Sequence, residues 1–391
     1  MNENNTQNVI PNVDSKSNEE RNVPDLREYY LFELADINPK NDVIKEEFIY
    51  IDLESVNQGI LCQKILITKD DAPSRAQRTV KLNDILFQTV RPYQKNNYIM
   101  KEHFEYQVVA STGYALLRPK INPLYLYYLL HSKKFNDEVI NRCTGTSFPA
   151  ISSNDLKVIK CRIHNDESQK NIGNLLCLLD KRIYSQKKII DNLNSLINSI
   201  INHIYSNNDY NVKLNDIITQ STNRNKNELI GYVSSVSNKY GFIKQSEQFE
   251  DRDVASDDLT NYKVVTLNDF GYNPARINVG SIARYKNTND TVVSPMYICF
   301  KCKNTLYPEY LEYYFKSNEF KINLLRRLEG SVRQCLTFES MQNIPFYIPD
   351  LDEQKKNAKI ISAFFEKIQL ETSILNKLIL QKDYLLSKMF I

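Results

Sequence analysis

Apolar residues follow two rhythms along this chain. Over residues 26–165 and 207–350 they come in short β-branched and aromatic runs: Phe48–Leu53, Leu61–Thr68, Tyr106–Ala110 and Ser294–Phe300. Pro, Asn and Asp interrupt these runs, which predicts strands joined by turns. Short helices are expected at Pro123–Ser132 and Pro308–Ser317, since proline suits the first helical position. After Asp166 the rhythm changes to steps of three and four. Ile172, Leu176, Leu179, Ile183, Ile190, Leu193, Ile197, Ile200 and Ile204 form a heptad seam with one polar gap, Gln186. A second seam runs through Ile361, Phe364, Ile368, Leu375, Leu378, Leu385 and Met389, with its gap at Glu371. A helix from Glu167 to Tyr205 would be about 60 Å long. Asp166, and either Asp350 or Asp352, are the expected N-caps.

These two rhythms occur twice in the same order, so the chain is an internal repeat. Asn83-Asp84 matches Asn268-Asp269 at an offset of 185. Arg91 and Arg276 keep that offset, as do Gly145 and Gly330, and Gln169-Lys170 and Gln354-Lys355. Pro123, Tyr125, Leu126, Tyr128, Ser132 and Phe135 reappear as Pro308, Tyr310, Leu311, Tyr313, Ser317 and Phe320. The two seam gaps are also 185 apart. Upstream, Asp36-Ile37 pairs with Asp216-Ile217 at an offset of 180. The expected fold is therefore α+β: two repeated globular domains separated by two long antiparallel helices that form a coiled-coil-like spacer. Antiparallel pairing would bring Gln186 and Glu371 together, where a buried polar pair fixes register. The boundaries read as a disordered lead-in at 1–25, domains at 26–165 and 207–350, and helices at 166–206 and 351–391.

Composition narrows the function. The net charge is only +3, which excludes a uniformly basic chain but allows a local basic face. No apolar run reaches membrane-spanning length, and the Asn-rich start has no signal-peptide core. Seven cysteines at irregular spacing suit a reducing cytoplasm.

The segment APSRAQRTVKLNDILFQTVRPYQKN, residues 72–96, resembles a stretch of the target recognition domains in specificity (S) subunits of Type I restriction-modification systems. So do YKVVTLNDFGYNPARINVGSIARY at 262–285 and VSPMYICF at 293–300. The two long helices are similar to that family's central and distal conserved regions. The resemblance covers about residues 26–391 and implies a division of labour. Each domain reads one half of a bipartite site in double-stranded DNA, and the helices set the unread spacer. Two modification (methyltransferase) subunits bind the helical region and methylate adenine with S-adenosylmethionine. Restriction subunits can join and cleave with ATP and Mg. Those cofactors belong to the partners; none is expected in this chain.

Motifs for chemistry of its own are incomplete. An adenine methyltransferase needs an Asn/Asp-Pro-Pro-aromatic loop. Asn122-Pro123-Leu124-Tyr125, Asn273-Pro274-Ala275-Arg276 and Asn343-Ile344-Pro345-Phe346 each lack part of it. Cys299 and Cys302 have no second pair to complete a metal site. No catalytic or metal-ligating residue is therefore assigned. DNA contact needs cations at phosphates and forked or amide side chains at bases. The first domain offers Arg75, Arg78, Gln88, Arg91, Tyr93, Gln94 and Lys95. The second offers Arg224, Lys226, Arg276, Arg284, Tyr285 and Lys286, with Lys239-Tyr240 nearby. Lys134, Lys321, Arg326, Arg327 and Arg333 are secondary candidates. Arg91 and Arg276 recur, which argues for phosphate contact or a structural ion pair over base reading. Two other readings stay open: a separated DNA-reading unit of a combined restriction-methylation enzyme, and a helical scaffold that binds no DNA. A methyltransferase frame beside the gene would favour the S subunit, and salt-dependent DNA binding would exclude the scaffold.

Overall fold

A computed structural model of the chain describes residues 26–206, 209–245, 258–330 and 334–390. The lead-in at 1–25 and Arg333 lie outside them. The described residues fold as two compact units, one within 26–183 and 377–390 and the other within 184–376. Each unit thus takes one globular domain and a part of both long helices.

In the first unit, Arg27–Tyr30 pairs with Lys160–Ile163, which staples the start of the domain to its end. One antiparallel sheet orders Ala35–Ile37, Tyr114–Pro119, Ile85–Gln88 and Tyr98–Ile99. A second sheet orders Ile65–Thr68, Glu47–Ile51, Gln107–Ser111 and Ala76–Val80, with a parallel central pair. Helices Pro123–Leu129 and Lys133–Asn141 cover the first sheet with Tyr125, Leu126, Tyr128, Phe135 and Val139. Ser132 caps the second helix by accepting the Phe135 amide, and the first helix ends at Leu129, short of the expected Ser132.

The second unit repeats this plan. Val212–Lys213 pairs with Pro345–Phe346. Ile218–Ser221, Ile298–Cys302, Phe270–Tyr272 and Ile282–Arg284 form a sheet in the same order. Pro308–Tyr314 and Asn318–Leu325 are the matching helices, again divided by a capping serine, Ser317. The copies diverge in the remaining sheet. Among the described residues of the second unit, only the hairpin Ser234–Ser237/Gly241–Lys244 and the pair Lys263–Val265/Thr291–Val293 form there, joined by a parallel bridge from Val233 to Val292.

Near the domain starts the structure corrects the sequence register. Glu33 accepts the Tyr30 amide, and Asp216 accepts the Lys213 amide. The short helices Leu31–Leu34 and Leu214–Ile217 are therefore equivalent, an offset of 183 and not 180. Asp216 corresponds to Glu33, and Asp36 lies beyond it on the next strand.

The first long helix spans Asp166–Tyr205 and the second Leu351–Met389. Asn165, not Asp166, caps the first by accepting the Ser168 amide at 2.9 Å. Asp350 caps the second through the Glu353 amide at 2.8 Å. Asn165 and Asp350 are themselves 185 apart. The next turn holds a second repeated device. Gln169 donates to the His164 carbonyl and accepts the Asn122 amide; Gln354 donates to the Pro349 carbonyl and accepts the Tyr307 amide. Each amide side chain thus ties the start of its long helix to the start of the helix that Pro123 or Pro308 opens.

Every predicted seam position is buried or half-buried: Ile172, Leu176, Leu179, Ile183, Gln186, Ile190, Leu193 and Ile197 on the first helix, and Ile361, Phe364, Ile368, Glu371, Leu375, Leu378 and Leu385 on the second. Within the second unit, Gln186 Nε2 donates to the Glu371 carboxylate and to its backbone carbonyl. Glu371 also pairs with Lys367, and these hydrogen bonds hold its carboxyl below the usual range. Ile197 and Ile201 meet Ala358 and Ile361 in the same unit, so the helices run antiparallel there. In the first unit Asp180 joins Lys382 at 2.6 Å and accepts the Tyr128 hydroxyl at 2.8 Å. No helix among the described residues is long and apolar enough to cross a membrane.

Candidate nucleic-acid interface

The repeated Asn-Asp pair is turn chemistry. Asn83 and Asn268 adopt positive φ, 69° and 70°, which Asn tolerates better than other side chains. Asp84 accepts the Lys81 amide at 2.8 Å and Asp269 accepts the Thr266 amide at 2.9 Å. Both carboxylates are buried, so each needs a cation. Arg118 binds Asp84 through two bonds, 2.9 and 2.8 Å, and that pairing raises its guanidinium further. Lys301 serves Asp269 at 3.4 Å.

Each turn positions a strand that leads to a surface 3₁₀ turn. In the first unit Arg91 heads the turn Pro92–Gln94, with φ of 54° at both Arg91 and Lys95. Pro92 faces inward, while Tyr93, Gln94 and Lys95 are exposed. A second loop supports this turn. Thr144 and Ala150 pair across it, and Gly145 turns it at φ 91°. The Pro149 carbonyl accepts the Arg91 amide at 2.7 Å. The Arg91 guanidinium stacks 4.4 Å from the centre of the Phe148 ring, which is 61% exposed.

In the second unit Arg276 heads the turn Ile277–Val279, and Glu329 pairs with Cys335 as Thr144 does with Ala150. Arg276 is exposed but has φ of −133°, so its backbone differs from that of Arg91. Neither arginine forms an ion pair among the described residues, so the ion-pair explanation of their recurrence fails there.

Several sequence candidates face inward. Gln88 is buried; it donates to the Gln94 side chain and accepts the Asn96 amide. It therefore braces the Arg91 turn from below. Arg78 is half-buried and donates to the Tyr114 carbonyl, and burial lowers its guanidinium from the usual range. Arg284 bonds Glu312 at 2.8 Å and Asn268 at 2.7 Å. Tyr285 is buried, with its hydroxyl donated to the Asn289 carbonyl. Arg327 bonds the Asn323 and Asn343 carbonyls. Arg75, Arg224, Lys226, Lys286, Lys134, Lys321 and Arg326 are exposed. Arg224 reaches Asn261 at 3.2 Å, and Lys286 pairs with Glu312 at 2.8 Å.

The near-miss motifs are structural. Asn122 caps the helix that Pro123 opens, and Tyr125 is buried behind it. Asn273 accepts the Ala275 amide in its own turn. Phe346 lies in the core of the second unit. Cys299 and Cys302 enter different apolar clusters, as opposite strand faces require. Burial pushes both thiols up to about 12. No group able to hold a metal occurs among the described residues.

Sequence reading missed Phe148. Its signal was faint: an aromatic beside Pro149 in a polar loop, three residues after the repeated Gly145. It also missed Lys316, which lies beside Phe315 at the end of a helix.

Comparison with known proteins supplies the context. A family model described as a Type I restriction modification DNA specificity domain matches residues 32–195 and again 212–380. The specificity subunit of the Haemophilus influenzae Type I restriction enzyme HindI is 23% identical over 164 residues, 41% of this chain. That alignment spans 33% of the relative's own length. The S subunit of a Type I system from M. genitalium has a similar fold, at TM-score 0.60 and 15% identity, covering 95% of this chain and 98% of that one. A chain from a structure of the assembly and conformational transition of a type I R-M system matches at TM-score 0.59 and 17% identity, over 93% of this chain and 97% of its own.

Proposed function

Because this chain belongs to the family of Type I restriction-modification DNA specificity domains, which it carries in two copies, we propose that it is the sequence-reading subunit of such a system. It binds a bipartite site in double-stranded DNA and directs separate methyltransferase subunits to it. Two modification subunits engage the helical region, and restriction subunits can join them. S-adenosylmethionine, and ATP with Mg, are bound by those partners, and the bond-making steps are theirs.

The observation that carries this reading is a duplicated frame with divergent sheets. The stapling strands, the helices and the Asn-Asp turns repeat, while the mixed sheet of the first unit shrinks to two strand pairs among the described residues of the second. A common frame with different surfaces is what reading two different half-sites requires. Within the frame, Arg75, Arg91, Tyr93, Gln94 and Lys95 present the first reading surface. Arg224, Lys226 and Arg276 present the second. Gln88, Arg78, Arg284 and Tyr285 support these surfaces from within and touch no base.

Co-expression with the methyltransferase encoded beside it, followed by single-molecule sequencing for N6-methyladenine, tests the proposal. A split methylated motif with a fixed gap is the expected result. An unchanged methylome from a demonstrably assembled complex would overturn it.

A further inference from the structure

The second unit contains an open cleft of about 480 Å³ that three separate elements line. The hairpin turn 237–241 contributes Lys239 and Tyr240, the segment 284–287 contributes Arg284 and Lys286, and the end of the helix Pro308–Tyr314 leads into Phe315 and Lys316. The only carboxylate lining it, among the described residues, is Glu312. That carboxylate is already shared: Arg284 Nε reaches one oxygen and Lys286 Nζ the other, each at 2.8 Å. The ammonium groups of Lys239 and Lys316 rest on aromatic rings instead, 5.0 Å from Tyr240 and 5.0 Å from Phe365. The cleft is therefore left with excess positive charge.

We propose that this cleft is a phosphodiester-binding site in which Lys239, Lys286 and Lys316 grip the DNA backbone without reading sequence. Lys316 is exposed at the cleft, and its ammonium feels the attraction of Glu312 and the repulsion of Lys286. A DNA strand fits better than a small anion because the three amines stand on three different elements around an open cleft. The rim continues into the exposed turn that Arg276 heads, with Val279 57% exposed and Tyr240 67% exposed. The inference rests on the DNA-reading function and adds a site that the repeat does not predict. Lys286 has Lys101 at the 185 offset, but the position matching Lys316 is His131, and Lys239 stands on a hairpin where the copies diverge.

The test uses the full chain assembled with its methyltransferase and a labelled duplex of unrelated sequence. The slope of log affinity against log salt should become shallower in the K239Q/K286Q/K316Q triple variant, by about 0.9 for each phosphate no longer neutralised. The matching triple Lys→Arg variant should keep the wild-type slope. Lysine acetylation mapped by mass spectrometry should show all three amines protected by the duplex and not by inorganic phosphate. Protection by phosphate alone would assign the cleft to a free phosphorylated ligand and overturn the backbone role. A wild-type slope in the glutamine variant would overturn it as well. If the wild-type complex binds no DNA at all, the underlying reading fails instead.

Discussion

At the scale of single residues, His131 is the clearest titrating group. Its Nδ1 lies 2.7 Å from the Tyr127 carbonyl, which can only accept, so Nδ1 carries the proton. Burial lowers the imidazole from 6.5 to about 4. The Tyr127 bond and Asp180 oppose this, while Lys382 and Lys95 add to it. A folded value below the unfolded one means that the unfolded chain takes up a proton first. Stability from His131 is therefore complete above pH 6.5 and declines as the pH falls toward 4. At about 1.4 kcal/mol per unit the loss is at most about 3.5 kcal/mol. Urea unfolding at neutral and mildly acid pH should show a smaller acid loss in H131N, where an amide can replace the Nδ1 bond. An equal loss in both proteins would place the acid sensitivity elsewhere. None of this was legible in sequence, where His131 was one of four histidines without ligand spacing. The same blindness affected Gln88 and Tyr285. Their residue types suit DNA, yet both are buried and hydrogen-bonded. Residue type indicates what a side chain can bind, but its depth depends on tertiary packing.

At the scale of elements, the seams were legible because a heptad is a property of spacing alone. The helix ends were legible to within two residues, but the last turns of the first seam were not. The sequence pattern continued through Ile200 and Ile204, which are half-buried against the core, whereas the fully buried positions are Ile201 and Tyr205. There the helix packs on a globular domain and the buried stripe shifts by one position. Tyr205 donates its hydroxyl to the Tyr310 carbonyl at 2.6 Å, and its ring lies 4.9 Å from that of Tyr310. Phe390 stands 185 positions later and lies 5.1 Å from Tyr125, the repeat partner of Tyr310. Each long helix therefore finishes by inserting an aromatic side chain into a domain. Truncating a buried Phe to Ala costs about 3–5 kcal/mol, and that cost should stay within one unit. Hydrogen exchange should quicken in peptides from 26–165 for F390A, and in peptides from 209–350 for Y205A. Even loosening of both regions in either variant would contradict this local anchoring.

At the scale of the whole molecule, each unit has apolar clusters of its own. That independence predicts modular reading. Replacing residues 207–350 with the corresponding part of another family member should change only one half of the methylated motif and leave the gap unchanged. The cores impose one condition on the exchange. Ile197, Ile201, Tyr205, Ala358 and Ile361 come from the retained helices, yet they pack on Tyr310, Leu311 and Tyr314 of the exchanged part. A donor without aromatics at the positions of Tyr310 and Tyr314 would leave cavities around Tyr205, and the unit would lose stability before any question of specificity arose. A compatible donor keeps the aromatic helix face and differs in the hairpin 234–244 and in the turn after Arg276. Methylome mapping of such a chimera should return the original first half-site, the original spacing and a new second half-site. A change in both halves would mean that the two surfaces do not read independently. A changed gap would mean that the exchanged domain, and not the helices, sets the spacing.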